Sequence, residues 1–396
     1  MKINNQKDID QISNELSLLL FLLHTSDDEI KIDENRSVFS DINWNDFIQL
    51  TIHHRVFPII YNRVRKINPE YIPKQVINAL RFQYQKNVFR MLQLSGETEQ
   101  LSRVFTDQNI KTLFLKGPVL ATHLYGDISL RTSSDLDILI PIKDLGIAEE
   151  MLSTLGYIKD EYILSVLNDW KWRHHHFTFF HPQKKIKVEI HWRLNPGPGR
   201  EPSFNELWER KAISSITTNQ PIYILGNMDL FLFLVSHGAR HGWSRLRWLE
   251  DIDMLLKKEM DWKKEKILLR RYNYSHLGGQ ALNLCSRLFF TKIPVEMKYL
   301  AERRRSNQLA KSALFYVRNI VNLHNEPLPD EVSLYHKKYL FLVMSLEQKI
   351  LFLLSFLFPY PEDAQTLPLP KLLHFLYFPL RPFLWAWRKR RKQVLS

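Results

Sequence analysis

The chain has 396 residues, enough for two or three domains. Its 45% hydrophobic and 24% charged residues exclude a disordered or collagen-like protein, and its 12 glycines argue against glycine-rich loop folds and β-propellers and in favour of helix. The formal charge is +13, and the whole excess lies in residues 231–396, where 28 Lys and Arg meet 14 Asp and Glu, which points to a polyanionic partner such as nucleotide, RNA or anionic lipid.

The N-terminus lacks the apolar run that follows the basic start of a signal peptide. The longest apolar runs, residues 16–23 and 350–358, fall far short of the ~20 residues that span a bilayer. The single Cys285 allows no intrachain disulfide and no four-cysteine zinc site, so a cytoplasmic location is expected. Apolar residues at three- and four-residue spacing predict helices over 9–23 and 75–104, with a polar loop over 24–44. At Asn109 the texture changes. Residues 112–115 form a short apolar strand, and Gly117-Pro118 turns it into a helix. Leu136, Ile138 and Ile140 alternate with Asp135, Asp137 and Leu139 in a two-faced strand. A helix over 144–156 closes on Gly156, and a hairpin joins 175–181 to 185–194. Residues 195–202 are a Pro- and Gly-rich loop, and from Asp229 onward the pattern is helical, broken at 327–329, 359–361 and 367–370. The plan is α+β: a helical region over 1–105, an αβ core with a small mixed sheet over 106–215, and a basic helical domain over 216–396.

The strongest chemical constellation is Asp135, Asp137 and Glu189. Residues two apart on a strand face the same way, so the two aspartates share a face, as Lys187, Glu189, His191 and Arg193 do on theirs. If the two strands are neighbours, three carboxylates converge and repel unless a cation sits among them. Oxygen ligands of this kind suit Mg²⁺ or Mn²⁺, and two such ions can clamp a phosphoryl group. Lys116-Gly117-Pro118 joins a strand to a helix start, where backbone N–H groups favour phosphate. Arg131, four residues before Asp135, is within reach of the same phosphates. In His174-His175-His176 consecutive residues on a strand should alternate sides, leaving one inward histidine. His237 and His241 share a helix face, and His191 shares the face of Glu189, so all three are candidate substrate contacts.

Leu115-Lys116-Gly117, Leu124-Tyr125, Arg131, the run from Ser134 to Ile140, Leu155-Gly156-Tyr157 and the run from Val188 to Trp192 resemble a largely uncharacterised bacterial nucleotidyltransferase family of the DNA polymerase beta-like superfamily. The resemblance continues through His237, His241, Trp243, Trp248 and Asp251 to Arg381-Pro382, and covers roughly residues 75–396. It implies a polymerase beta-like core in which Asp135, Asp137 and Glu189 hold two metal ions and Lys116, Gly117, Arg131 and Ser134 contact the nucleotide. Pro118 departs from the superfamily's usual Gly-Ser or Gly-Gly turn, leaving Lys116 as the replacement phosphate contact.

The resulting expectation is transfer of a nucleoside monophosphate, AMP in the first instance, from an NTP to an unidentified acceptor (small molecule, peptide, protein or RNA), with release of pyrophosphate. A glycosyltransferase would also use Asp-x-Asp, but many of those place an αβ half before the motif, whereas residues 1–105 read as helix. A non-catalytic adaptor would bind RNA or membrane through the basic C-terminal half. The stretch 372–392, aromatic and ending in Arg388-Lys389-Arg390-Arg391-Lys392, is the candidate membrane or RNA contact.

Overall fold

The structure is a computed structural model that describes residues 12–24, 36–68, 70–161, 163–216, 220–323 and 327–394, excluding the side chains of 36 and 391–394. It has the expected α+β class, a mixed sheet of seven strands between helical flanks. Helix α1 (Asn14–His24) lies within the predicted 9–23 segment except at its last residue, and the first residues of that segment fall outside the described ones. Helix α2 (Trp44–His53) starts on Asn43, whose side chain accepts from the N–H groups of Asn45 and Asp46. Helix α3 (Phe57–Val64) carries Pro58 in its first turn. Helix α4 (Lys74–Asp107) runs for 34 residues, about 51 Å, and overshoots its predicted bounds at both ends.

The strands are β1 (Leu113–Phe114), β2 (Asp135–Leu139), β3 (Ile158–Lys159), β4 (His176–His181), β5 (Ile186–His191), β6 (Ala212–Ile213) and β7 (Tyr223–Ile224). Their order is β3-β4-β5-β2-β1-β7-β6, with β2–β5 and β1–β7 parallel and the other pairs antiparallel. The sequence predicts β1, β2, β4 and β5. The others have two residues each, too few for a period-two signal. Helices α5 (Pro118–Tyr125), α6 (Leu145–Thr154), the single turn α7 (Trp170–Arg173) and α8 (Phe204–Glu209) complete this region. Leu136, Ile138, Val188 and Ile190 bury the rear face of the sheet in one core with Met91, Leu94 and Leu101 of α4.

The C-terminal part comprises α9 (Asn227–Arg240), α10 (Leu246–Leu256), α11 (Trp262–Arg271), α12 (Ser275–Leu288), α13 (Lys298–Glu302), α14 (Arg304–Arg318), α15 (Asp330–Val343), α16 (Leu346–Ser355), α17 (Pro361–Thr366) and α18 (Tyr377–Val394). Helices α9 to α14 share a second core with α1 to α3. Gly279 lets α12 approach α13 closely, because a Cβ there would lie 2.2 Å from the Leu300 carbonyl. No helix among the described residues is long and apolar enough to cross a membrane.

One buried acid in this core is unsupported. Glu265 on α11 is fully buried, and neither carboxyl oxygen has a hydrogen-bond partner. Burial, aided by Asp229, pushes its carboxyl up to about 9. The unfolded chain releases this proton near pH 4.5 and the folded chain near 9, so the group stabilises the fold below 4.5 and that contribution is lost as pH rises towards 9. Glu265→Gln is expected to raise stability at pH 8 by roughly 1–3 kcal/mol and to have no such effect at pH 4, as read by urea melts at both values.

Candidate active site

The site is built where β2 and β5 run side by side. Their register pairs Asp135 with Lys187, Asp137 with Glu189, and Leu139 with His191. The apolar alternates are buried behind the sheet, so Asp135, Asp137, Lys187, Glu189 and His191 share the front. Two lysines sit among the acids. Lys116 Nζ lies 2.8 Å from Asp137 Oδ1. Lys187 Nζ bridges Asp135 Oδ2 at 3.0 Å and Glu189 Oε1 at 2.7 Å. His191 Nε2 stands 3.2 Å from Asp137 Oδ1 and 3.6 Å from Glu189 Oε2. Burial raises the Asp137 carboxyl, but Lys116 and the His191 hydrogen bond outweigh it and hold it below the usual carboxylate range. Glu189 is likewise held low: burial raises it, and His191, His176 and Lys187 together overcome that.

Local sequence explains the placement of the Gly117-Pro118 turn. Gly117 caps α5 with φ +81°, a conformation that disfavours side chains, and a Cβ there would meet Leu136 at 3.1 Å. Pro118 fills the first helical position, where no N–H is needed. The backbone therefore turns sharply after β1 and carries Lys116 to the front of β2. Helix α4 fixes the approach to β2: Asn87 Nδ2 donates to the carbonyls of Ser129 and Arg131, and Arg90 Nη2 donates to that of Ser134.

The front face opens into a cleft of about 340 Å³. Its wall includes Lys116, Arg131, Ser134, Asp135, Asp137, Glu189, His191, His237 and His241, nine of the ten side chains or turns singled out from sequence; Gly117 lies behind it at the head of α5. Arg131 is buried and bound fork-to-fork by Asp251 of α10, with Nε–Oδ1 and Nη2–Oδ2 both 2.9 Å. His237 and His241 pack ring to ring at 4.6 Å and against Trp248, and burial followed by nearby Lys116 holds the His237 imidazole well below its ordinary value. The expectation that consecutive histidines part to opposite faces is corrected. Strand β4 begins only at His176, so His175 precedes the pleat, and the two rings lie 4.4 Å apart beside His191.

Sequence reasoning missed three arginines on this wall. Arg55 follows α2 at φ +57°, Arg240 ends α9 and Arg247 lies in the first turn of α10. Arg240 Nη1 and Arg247 Nε are buried without hydrogen-bond partners. Burial lowers their guanidinium groups to about 10 and about 9, which leaves both charged at neutral pH. No local pattern marks them, since Arg55 lies in the turn after α2 and Arg240 and Arg247 lie on helices, all far in sequence from the acids. Altogether six cationic side chains of Lys and Arg line the cleft against three carboxylates.

The residues also fit a metal ion. Asp137, Glu189 and His191 bring ligand atoms within 4.8 Å of one another, and His175, His176 and His191 form a second such group. Asp137 Oδ2 and His191 Nδ1 are buried without partners. An orphaned carboxylate oxygen at this depth is costly unless a cation or donor meets it. Asp135 stands outside both groups, tied to Lys187.

A family model described as an uncharacterised nucleotidyltransferase matches residues 40–290 of the chain. No curated protein matches it.

Proposed function

We propose, from the premise that this chain belongs to the uncharacterised nucleotidyltransferase family and is a transferase, that it moves AMP from ATP to an acceptor oxygen and releases pyrophosphate. The observation that carries this reading is the orphaned Asp137 Oδ2 beside Glu189, in a cleft lined by six Lys and Arg side chains. Asp137 and Glu189 would hold Mg²⁺ or Mn²⁺, and Asp135 would join them at a second ion once Lys187 swings away. Such ions polarise the phosphate and lower the barrier to attack. The acceptor oxygen forms a bond to the α-phosphorus, the bond to the bridging oxygen breaks, and pyrophosphate leaves with its electron pair. The acceptor proton goes to a carboxylate of the site, and Glu189 is more exposed than Asp137. The Gly117 turn, Lys116 and Ser134 hold the nucleotide. Arg131, gripped by Asp251, adds its field from the wall. Arg55, Arg240 and Arg247 face the triphosphate, and His191 keeps Asp137 aligned. His237 and His241 line the substrate's side of the cleft.

Isothermal titration with ATP, GTP, CTP and UTP, each with and without Mg²⁺, tests this reading. ATP is expected to bind only with Mg²⁺, and Asp135→Asn/Asp137→Asn to abolish that binding. Equal heats from wild type and the double variant would remove the carboxylates from the site. Turnover of a nucleotide-sugar in place of an NTP would overturn the reaction class. A narrower expectation concerns the missed arginines. Arg240→Met should weaken ATP by roughly ten- to a hundredfold, the worth of one charge-assisted contact. Unchanged affinity would take Arg240 out of the phosphate wall.

A further inference from the structure

The nucleotide site does not account for the basic, aromatic end of the chain. Helix α16 presents an apolar stripe outward. Leu346, Ile350, Leu353 and Leu354, continued by Leu357, recur at helical spacing, yet each is between 51% and 73% exposed. The inner side is held by polar groups beside the half-buried Leu351 and Phe352: Glu347 accepts from Arg200 and Asn273, and Gln348 packs against Gly199. A surface helix normally turns its apolar stripe inward. Here hydrogen bonds of Glu347 help fasten the inner side, and a second apolar stripe is presented outward.

The stripe is part of a wider face. Lys349 Nζ lies 4.7 Å from the ring centre of Phe341 on α15, whose Leu334 and Lys338 share that helix side. Phe358, just past α16, meets Phe378 of α18 at 5.2 Å. On the side of α18 that carries Phe378, Trp385 is 56% exposed with Lys389 over its ring, while Phe383 and Trp387, 73% and 61% exposed, leave the opposite flank of the same helix. The acids nearby are turned inward: Glu347 as above, and Asp363 onto Arg381 and Arg388. Glu362 is the one exposed carboxylate among the described residues 346–390, while Lys371, Lys389 and Arg390 are exposed.

We propose that this face docks on the surface of an anionic lipid bilayer, with the leucines and aromatics in the headgroup–acyl boundary and the lysines and arginine on lipid phosphates. Contiguous exposed apolar surface of this kind marks an interaction site. A second copy would press like charges together. RNA would stack on the aromatic rings but would leave the aliphatic stripe of α16 in water, since stacking needs a π-face. Hydrocarbon buries both, and tryptophan with basic residues suits the membrane interface. The proposed contact is peripheral, and no described helix is long and apolar enough to cross a bilayer. The proposal is independent of the nucleotide chemistry.

Flotation of the full chain with vesicles tests it, using phosphatidylcholine alone and phosphatidylcholine with roughly one-third phosphatidylserine. The chain is expected to float with the anionic vesicles and at least about tenfold less with the neutral ones. Leu353→Glu/Leu354→Glu, at exposed positions that folding tolerates, should weaken anionic binding by about tenfold or more, as should Lys389→Glu/Arg390→Glu. Circular dichroism of each variant confirms the fold. Flotation indifferent to both variants overturns the proposal, as does no flotation at all. So does a homodimer in solution that Leu353→Glu dissociates, or RNA binding in the absence of vesicle binding.

Discussion

Asp137→Asn is expected to lower nucleotidyl transfer by about a thousandfold or more while the protein remains folded. Asp137 is 1% exposed, its Oδ1 serves both Lys116 and His191, and its Oδ2 has no partner. Asparagine keeps the shape but loses the charge that the proposed metal ion would require, and it replaces one oxygen with a donor. The change also leaves Lys116 without its counter-charge, so a stability loss of roughly 1–3 kcal/mol accompanies it. Asp135→Asn should cost less activity, because Lys187 already holds that carboxylate apart from the Asp137–Glu189–His191 group. Single-turnover assays with α-labelled ATP, alongside circular dichroism, separate the two losses. A folded Asp137→Asn protein within tenfold of wild-type activity would defeat the assignment.

Asp251→Ala is expected to destabilise the fold by about 3–5 kcal/mol, the usual effect of removing one partner of a buried ion pair. Arg131 is 1% exposed and Asp251 is fully buried. Both carboxylate oxygens accept from the Arg131 fork, and Tyr125 also donates to Oδ1 at 2.8 Å. Alanine would leave the guanidinium buried and uncompensated, with Arg247 pressing on it electrostatically. Arg131→Met/Asp251→Leu should recover most of the lost stability, because a well-packed apolar pair can replace a buried ion pair. Urea denaturation of the single and double variants measures both. A single variant as stable as wild type would show the pair to be mechanically idle. The same pair ties α5, the approach to β2 and α10 together, so the arm before the carboxylates is braced from the C-terminal helices.

Much of the site was legible because its chemistry is short-range in the chain. The period-two alternation around Asp135 and Asp137, and that of residues 186–191, define both the strands and the faces of their acids. Gly117-Pro118 marks the turn because only glycine accepts the backbone there. Arg55, Arg240 and Arg247 were not legible, since they reach the cleft through packing of α2, α9 and α10, and helix packing writes no motif. His175 misled for a related reason: a strand's period applies only once the strand has begun, and β4 starts one residue later. Strands β3, β6 and β7 were invisible because pairing partners, and not their own sequence, define them. The ionic role of Arg131 with Asp251 spans 120 positions and surfaces only in three dimensions.

Helix α4 behaves as a measuring rod for the carboxylates. About two turns further along from Asn87 and Arg90, which grip the arm entering β2, Gln93 and Glu97 grip Lys184 at the turn that feeds β5. The relative starting points of the two acid-bearing strands are thus referred to a single rigid ruler. Removing one residue between Arg90 and Glu97 would rotate one grip about 100° away from the other and throw Asp137 out of step with Glu189. The αβ core is consequently not a portable cassette: a fragment cut at residue 106 would keep every acid and lose the instrument that aligns them.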